Sequence, residues 1–569
     1  NYSAYTLEIT PDKAGNVKET IEALGKILEI TSKDLKRFKK LREEGKNFES
    51  IPIRTRLTEE EIARFIAHRY RFPGVEIKAR LFRNYPFGEV ASHLIGYIGR
   101  ISDKDREKIE EDDDEANYRG TDHIGKIGVE QSYEKLLHGV TGAEQIEIDS
   151  GGRAIRTLNR ISPKAGNNLY LSIDIELQKI AEEAFKDYRG ALVAIDPSNG
   201  EVLAFVSRPG FDPNLFVDGI DAQSWKELNE SPDHPLNNRA LRGQYPPGST
   251  FKPFMAMAAL ESGKRTPYYT IADRGYYTLP GSSHRYRDWK PSGHGAVNLE
   301  RSIIVSCDVY YYELAVDMGI ETMYRFMSQF GFGQKTGIDL EGELGGVLPN
   351  NAWKKKRFKK PWLLGETVIA GIGQGYNLAT PLQLAHATAI LANGGHSFRP
   401  HVLHAIQENG NHQPKNITPQ LNGDYHFKTH FVDIVKKAML GVMRPGGTAG
   451  IAGAGAPYNF AGKTGTAQVV GIKQNEKYVE SKVAERHRDH ALFVGFAPSE
   501  NPRIAVGVMV ENGGHGGSVA APIARKVIDY LLLGKRPHDK TAEEMNKPHR
   551  NNNQPTDAND TAASTDSNT

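Results

Sequence analysis

The stretch that decides the fold is residues 191–207, which read ALVAIDPSNGEVLAFVS. Two apolar segments, 191–195 and 201–207, flank the sequence DPSNG. Proline, asparagine and glycine in that order favour a tight turn, because they accept backbone angles that other residues avoid. The pattern predicts a β-hairpin.

The segments on either side of this hairpin predict the architecture. Upstream, residues 169–173 have the pattern of a strand and residues 176–185 that of a helix. Far downstream, residues 491–496 and 504–510 form a second apolar pair, and residues 522–533 predict a closing helix. A sheet assembled from both ends of a region, with helices between, predicts an α/β sandwich whose long middle part can hold a cleft.

Residues 1–165 have the pattern of a separate α+β region. Helix starts are indicated at Asn16 and Thr58, each of which is followed three residues later by glutamate, as in a capping box. Residues 51–57 and 75–82 predict extended segments. No grouping of reactive side chains stands out here, so we expect a pedestal or interaction module.

The chain therefore divides into three predicted parts. A length of 569 residues is too great for one compact core. We expect a non-catalytic domain over residues 1–165 and the α/β domain over residues 166–536. Residues 537–569 contain no Val, Ile, Leu, Phe, Tyr or Trp, which predicts a disordered tail.

Composition and charge exclude some classes of function. Seventy-two basic residues nearly balance 70 acidic ones, and the net charge of +2 gives no reason to expect nucleic-acid binding. The one basic run, KKKRFKK at residues 354–360, is more often a solvated surface loop than a binding patch. The single cysteine, Cys307, excludes an intramolecular disulfide. No run of about 18 apolar residues is present, so the sequence predicts no membrane-spanning helix. The chain starts at Asn1, and residues 5–9 resemble a strand entered in mid-fold. We therefore expect a truncated chain that has lost an N-terminal anchor.

The first candidate catalytic motif is PPGSTFK at residues 246–252. A turn opens a helical stretch, so that Ser249 and Lys252 lie one turn apart on the same face. Serine needs a neighbouring base to become a nucleophile. A lysine normally titrates near about 10.4, so it acts as a neutral base only when burial or a nearby cation lowers its pKa. This motif is weak by itself, because many helices contain it by chance.

Two further motifs follow at a distance. Ser306-Cys307-Asp308 lies between two apolar-periodic stretches, where a serine is usually a helix cap. Lys463-Thr464-Gly465-Thr466 lies on a predicted strand, residues 460–470. There the glycine allows a close approach of backbone, and the lysine and threonines can hold a carboxylate.

Together the three motifs resemble those of penicillin-binding proteins and class A β-lactamases. Further blocks extend the likeness. Residues 236–254, 287–295 and 368–381 resemble blocks of the transpeptidase domain, and residues 84–99 and 125–133 resemble the non-catalytic domain of class B high-molecular-weight penicillin-binding proteins. The chain is identified as a member of that class, most similar to its cell-elongation transpeptidases. The resemblance implies an α+β pedestal followed by an α/β domain of serine β-lactamase type, with a central antiparallel sheet flanked by helices.

The resemblance also implies a role for each motif residue. Ser249 would attack the penultimate D-alanine carbonyl of a stem peptide, with Lys252 as general base. Ser306, with Lys252 or Lys463, would relay a proton to the leaving amine. Substrate-binding residues would be Asp308, Lys463, Thr464, Gly465 and Thr466. The backbone N–H groups of Ser249 and Thr466 would form the oxyanion hole.

Asp308 departs from the common pattern, because the wider family usually has Asn at this position. An ionised carboxylate can only accept hydrogen bonds. We therefore expect Asp308 to pair with a lysine, which weakens the case for its direct contact with the substrate.

Partners and location follow from the resemblance alone. It implies peptidoglycan stem peptides ending in D-Ala-D-Ala as substrate and β-lactams as inhibitors. It implies docking to a membrane-embedded glycan polymerase of the SEDS type and to a scaffold protein of the rod system. The catalytic part would lie in the periplasm, anchored to the bacterial inner membrane, and would act in elongation and rod-shape maintenance.

A metal site is a further hypothesis. Asp273, Asp288, His294 and Cys307 could together bind one structural zinc ion in a closed tetrahedral site. The alternative is that Cys307 is a small buried hydrophobe and His294 a loop hydrogen-bond former.

Two alternative functions remain open. A β-lactamase or D,D-carboxypeptidase would use water to resolve the acyl-enzyme, although the large N-terminal region and the lack of a matching deacylating glutamate disfavour hydrolysis. A non-catalytic β-lactam sensor or scaffold would acylate once and signal.

Overall fold

The computed structural model describes residues 1–44, 47–119, 121–150, 154–470 and 483–534. The predicted disordered tail, residues 537–569, lies outside these residues. In the part of the chain that is described, no helix combines the length and the apolar character needed to cross a membrane.

The first part of the chain alternates short strands and helices around a small sheet. Its elements are β1 (Tyr2–Ile9), α1 (Pro11–Ala14), α2 (Val17–Leu24), α3 (Ser32–Glu44), β2 (Ile51–Arg54), α4 (Glu59–His68), β3 (Val75–Phe82), α5 (Ser92–Ile95), β4 (Ile98–Arg100), α6 (Asp103–Glu111), α7 (Glu115–Tyr118), β5 (His123–Gly125), α8 (Gly128–Ser132), α9 (Glu134–Leu137), β6 (Ala143–Ile148) and β7 (Ala154–Ile161). Both predicted helix starts are confirmed, since the side chains of Asn16 and Thr58 accept backbone N–H groups at the start of α2 and α4.

The second part contains the longer helices and the main sheet. Its elements are β8 (Asn168–Leu171), α10 (Ile175–Phe185), β9 (Gly190–Ile195), β10 (Val202–Arg208), α11 (Asn214–Val217), α12 (Ala222–Glu230), α13 (Arg239–Arg242), α14 (Lys252–Glu261), β11 (Ile271–Asp273), β12 (Tyr276–Tyr277), β13 (Tyr286–Arg287), β14 (Gly295–Val297), α15 (Leu299–Ile304), α16 (Asp308–Met318), α17 (Ile320–Met327), α18 (Asn351–Phe358), α19 (Leu364–Ala370), α20 (Pro381–Ala392), β15 (His396–Phe398), β16 (Leu403–Gln407), β17 (Lys415–Asn416), β18 (Leu421–Asp424), α21 (Thr429–Val442), α22 (Gly450–Gly453), β19 (Ala461–Ala467), β20 (His490–Ala497), β21 (Ile504–Val510) and α23 (Ala520–Leu533).

The main sheet has five antiparallel strands in the order β10-β9-β21-β20-β19. It joins the predicted hairpin to the predicted downstream pair, so the sheet assembled from both ends of the domain is confirmed. The predicted strand at residues 169–173 is present as β8, but it does not join the main sheet. It pairs with β16 in a separate three-stranded sheet.

The sheet and helices bury two hydrophobic cores. The smaller core packs α2, α3 and α4 on the three-stranded sheet β2-β1-β3. The larger core contains the five-stranded sheet and the apolar helices α14 and α20, which are buried along almost all of their length. Ala91, Leu94 and Val129 pack into this larger core although they precede residue 165. The N-terminal part is therefore fixed to the second part by shared apolar packing as well as by hydrogen bonds.

The basic run at residues 354–360 lies mostly in a helix. It occupies the second half of α18 and the two residues that follow, so the expectation of a surface loop is wrong for Lys354 to Phe358. The Asn350 side chain accepts the Trp353 N–H and caps the start of this helix. The charge pattern of the run gave no indication of this cap. The side chains of the run are exposed apart from that of Lys354.

Candidate active site

Ser249 lies in a tight turn that the neighbouring strand constrains. The residues Gly248–Phe251 form one turn of 3₁₀ helix, and α14 begins directly at Lys252. Gly248 has a φ of +52°, and a Cβ at this position would lie 2.5 Å from the carbonyl oxygen of Thr466. Only glycine fits such an approach. The serine turn is therefore packed directly against the strand β19, which carries the third motif.

Lys252 is fully buried and points at the second motif. Its Nζ donates to the Ser306 carbonyl oxygen at 2.8 Å, to Ser306 Oγ at 3.2 Å and to Asp308 Oδ1 at 2.7 Å. The expected pairing of Asp308 with a lysine is confirmed by this contact.

Lys463 approaches the same hydroxyl from the other side. Its Nζ, also fully buried, lies 2.8 Å from Ser306 Oγ and 2.9 Å from the Thr464 carbonyl oxygen. Ser306 has a φ of +58°, an uncommon conformation for a residue with a side chain. This strained backbone places the Ser306 hydroxyl as a bridge between two buried amines.

The electrostatics separate the two lysines. Burial holds the pKa of the Lys463 ammonium well below its usual range, the positive charge of Lys252 lowers that pKa further, and the Asp308 carboxylate acts in the opposite direction. Lys252 has the carboxylate in direct contact, whereas Lys463 does not. Lys463 therefore loses its proton more readily than an ordinary lysine, while Lys252 forms the ion pair with Asp308.

Strand β19 presents the rest of the third motif to the serine turn. A Cβ at Gly465 would lie 2.7 Å from Cγ2 of Thr250, so the predicted close approach of backbone is confirmed. The hydroxyl of Thr464 lies 2.8 Å from that of Thr448, and Thr466 is partly exposed next to it. Of these motif side chains, Thr466 is partly exposed, whereas Lys463 and Thr464 are buried.

Three neighbours of the site were not identified from the sequence. Gln374 Nε2 donates to the Thr466 carbonyl oxygen at 3.0 Å, and so holds the strand next to Ser249. The Trp289 backbone N–H donates to Asp308 Oδ2 at 3.1 Å. Thr448 contacts Thr464, as described above. The only signal for them was that Gln374 and Trp289 belong to the blocks quoted for the resemblance; nothing in their spacing indicates contact.

The four residues of the metal hypothesis form one buried cluster. Asp273 lies at the end of β11, Asp288 and His294 lie in the connection to β14, and Cys307 precedes α16. His294 Nδ1 lies 2.9 Å from Asp273 Oδ2 and 3.4 Å from Asp288 Oδ1, while Cys307 Sγ lies 3.5 Å from Asp273 Oδ2. One ligand atom from each residue lies within 4.8 Å of the others.

This donor set fits a zinc ion. Tetrahedral ligands at about 2.0–2.3 Å from zinc are separated from each other by about 3.3–3.8 Å, close to the distances above. Two carboxylates, one imidazole and one thiol are donors that zinc accepts in structural sites. The carboxylates also accept backbone N–H groups: Asp288 Oδ2 those of Asp308 and Val309 at the start of α16, and Asp273 those of Gly275 and His294. The other oxygen of Asp288, Oδ1, accepts the Lys290 N–H at 2.9 Å and faces His294 Nδ1 at 3.4 Å.

The structure thus brings the three motifs together and places the four-residue cluster directly behind the second of them. Cys307 connects the two groups, because it separates Ser306 and Asp308 in the sequence and its own side chain points into the cluster.

Comparisons with known proteins show which families and structures the chain resembles. Residues 190–529 match the family described as the penicillin binding protein transpeptidase domain, and residues 1–171 match the penicillin-binding protein dimerisation domain. The chain is 46% identical to the peptidoglycan D,D-transpeptidase MrdA of Escherichia coli K12, over 95% of the chain and 86% of that protein. Among solved structures, a complex of penicillin-binding protein 2 with MreC from Helicobacter pylori is 31% identical, with a TM-score of 0.79 over 94% of the chain and 95% of its own. A structure of a peptidoglycan synthase complex that coordinates polymerization and crosslinking is 27% identical, with a TM-score of 0.70 over 95% of the chain and 89% of its own.

Proposed function

The chain belongs to the class B penicillin-binding proteins, and from this premise we propose that it is a peptidoglycan D,D-transpeptidase that cross-links stem peptides through an acyl-enzyme on Ser249. The observation that carries the proposal is the bridge behind the serine turn, in which Ser306 Oγ contacts both Lys252 and Lys463. A single buried hydroxyl between two amines can pass a proton in either direction.

The first half-reaction needs a neutral amine next to Ser249. Lys252 gives its proton to Ser306 Oγ, and the Ser306 hydroxyl proton moves to the neutral Lys463. Lys252 then accepts the proton of Ser249 as Oγ attacks the carbonyl carbon of the penultimate D-alanine. The C–N bond to the terminal D-alanine breaks, its nitrogen takes up the proton of Lys252 through Ser306, and free D-alanine leaves. Lys252 is then neutral again.

Two sets of groups hold the substrate during this step. The terminal carboxylate lies over β19, where Lys463, Thr464 and Thr466 offer donors. The developing oxyanion receives the backbone N–H groups of Ser249 and Thr466, whose segments the approach at Gly248 brings together.

The second half-reaction uses the same groups in reverse. An amine of another stem peptide attacks the Ser249 ester and loses its proton to Lys252. Lys252 passes this proton to Ser249 Oγ as the ester C–O bond breaks, and the proton on Lys463 returns to Lys252 through Ser306. Asp308 contributes charge to this cycle through Lys252, and its second oxygen accepts the Trp289 N–H.

Inhibition, location and partners complete the proposal. β-Lactams resemble the D-Ala-D-Ala end and would acylate Ser249 and leave slowly. The protein would act in cell elongation and rod-shape maintenance, with its catalytic part in the periplasm at the inner membrane, where the substrate lies. The two solved complexes support an MreC-type scaffold and a glycan polymerase as partners. We expect the protein to co-purify with each partner. We also expect to find it in the membrane fraction of the cell.

The experiment supplies a stem peptide ending in D-Ala-D-Ala, with and without an amine acceptor peptide, and follows products by mass. Wild-type protein should release D-alanine and form the cross-linked dimer, and Ser249→Ala should form neither. Release of D-alanine without any dimer would favour the carboxypeptidase alternative. No product from any substrate, together with a lasting penicillin adduct, would favour the sensor.

We further propose that Asp273, Asp288, His294 and Cys307 hold one structural zinc ion. The support is the matching of donor type and spacing to a tetrahedral site. When bound, zinc would supply a fixed cross-link that orders the segment around Cys307, and hence the positions of Ser306 and Asp308. Metal analysis should find one zinc per chain in the wild type and none in Cys307→Ala, which should also melt at a lower temperature. Metal-free wild-type protein of full stability would refute the site.

A further inference from the structure

The exposed cations at the end of α18 form a surface that the proposed chemistry does not use. This surface, here named the basic ridge, consists of Lys355, Lys356, Arg357, Lys359 and Lys360, all of them exposed. None of the five forms an ion pair with an acidic group in the part of the chain that the structure describes. Three of them lie in the last turn of α18, where positive charge stabilises a helix. Lys359 and Lys360 lie beyond it, so the helix alone does not explain the cluster.

The ridge is attached to the active site through buried contacts. Lys354, the buried member of the basic run, forms an ion pair with Glu366 in the first turn of α19. Its Nζ lies 5.8 Å from the ring centre of Trp362, whose indole N–H donates to Thr367 at 2.8 Å. The basic helix and α19 therefore form one packed unit.

Helix α19 leads from this unit to the serine turn. It has seven residues, a length of about 10 Å. The loop that follows it contacts the catalytic segments, because Gly373 accepts the Gly248 N–H and Gln374 donates to Thr466. A stem peptide of about five residues spans about 17 Å when extended. A peptide that extends from the serine turn along α19 is therefore long enough to reach the ridge.

The ridge also offers apolar surface beside its charges. Phe358, Leu363 and Leu364 are 44%, 58% and 52% exposed. Cations next to exposed apolar side chains suit a ligand with carboxylates on a partly apolar peptide better than a bare anion.

We propose that the basic ridge binds the stem peptides of the peptidoglycan strand that is being cross-linked, through their free carboxylates. Each uncross-linked stem peptide ends in a carboxylate, so a strand presents a row of negative charges to the ridge. The ridge then raises the local concentration of strand at the rim of the site. This inference rests on the proposed transpeptidase function, because that function supplies the anionic strand.

The test measures strand binding by protein whose serine is already acylated by penicillin, so that the donor position is filled. The probe is soluble, uncross-linked peptidoglycan strands at low salt. Lys355→Gln/Lys356→Gln/Arg357→Gln should bind about tenfold more weakly than wild type, and the difference should shrink as salt rises. The matched control is Lys26→Gln/Lys36→Gln/Lys39→Gln, which removes the same charge from exposed positions of the N-terminal part and should bind like wild type.

Each outcome separates the possibilities. Equal binding by the ridge variant and wild type overturns the inference, as does an equal loss in the control, which would show a general charge effect. Loss of binding to vesicles of acidic phospholipid without loss of strand binding would also overturn it, and would assign the ridge to a membrane surface. Lys359→Gln/Lys360→Gln, outside the helix, repeats the test if the triple variant unfolds. Wild type that forms no penicillin adduct would instead refute the proposed function.

Discussion

Gln374→Leu is the substitution that most specifically tests the geometry of the proposed oxyanion hole. Gln374 Nε2 donates to the Thr466 carbonyl oxygen at 3.0 Å, and the backbone N–H of Thr466 is the proposed donor to the oxyanion. Leucine has a similar volume and cannot donate. The change therefore releases one end of the Thr466 segment while it leaves Ser249 and both lysines in place.

The size of the effect has two bounds. A hydrogen bond between neutral groups contributes about 1 kcal/mol, and an acceptor left unpaired costs about 1–3 kcal/mol. Complete loss of one oxyanion donor slows acyl transfer by about 10²–10³. Because the leucine side chain would loosen the Thr466 donor without removing it, we expect the acylation rate to fall by about five- to thirtyfold, equivalent to about 1–2 kcal/mol in barrier.

The assay is the second-order rate constant for acylation by a fluorescent penicillin, measured by stopped flow. The control is Gln223→Leu, since the Gln223 side chain is exposed and bonds only within α12 among the contacts described. An acylation rate for Gln374→Leu within twofold of wild type would refute the reasoning, because Thr466 would then keep its position or its N–H would not act. A rate as low as that of Ser249→Ala would also contradict it.

Two further predictions concern stability. Asp308→Ala leaves the buried Lys252 without its carboxylate and should lower the free energy of unfolding by about 3–5 kcal/mol in urea titrations. Asp308→Asn should lose less stability, because its amide oxygen can still accept a hydrogen bond from Lys252. An alanine variant as stable as wild type would contradict the ion pair. Burial lowers the pKa of both His93 and His386 to about 4 in the folded protein. The unfolded chain then binds more protons between pH 6.5 and 4, so stability is complete above pH 6.5 and falls towards pH 4, by up to about 3 kcal/mol per histidine. Replacement of His386 by Gln should reduce this pH dependence by about one proton in thermal melts at pH 4.5 and 7; an unchanged slope would contradict its burial as the neutral form.

The sheet could be predicted from the sequence because its signals are local. The turn DPSNG and the apolar runs around it, together with the second apolar pair, determine four of the five strands, and the strand of Lys463 follows from its own pattern. Strand β8 has an equally good pattern and lies elsewhere, because pairing partners such as β16 are far away in the chain. A local pattern gives strand character and not the partner.

In the active site, too, the residues could be predicted from the sequence but most of their contacts could not. The motif residues were identified as a set, and the pairing of Asp308 with a lysine followed from the chemistry of a carboxylate. The resemblance implied a proton relay by Ser306 with one lysine or the other. That its hydroxyl contacts both could not be predicted, since this depends on a positive φ and on two lysines 211 residues apart in the chain. Gln374 was missed for the same reason: its partner is a backbone oxygen 92 residues away.

The central claim is that Ser249 forms a long-lived acyl-enzyme, and intact-mass measurement after incubation with penicillin tests it most directly. The account predicts a single adduct on the wild type that persists for hours and is absent from Ser249→Ala. An adduct on Ser249→Ala, or an adduct that disappears within minutes while penicillin is consumed, would contradict it.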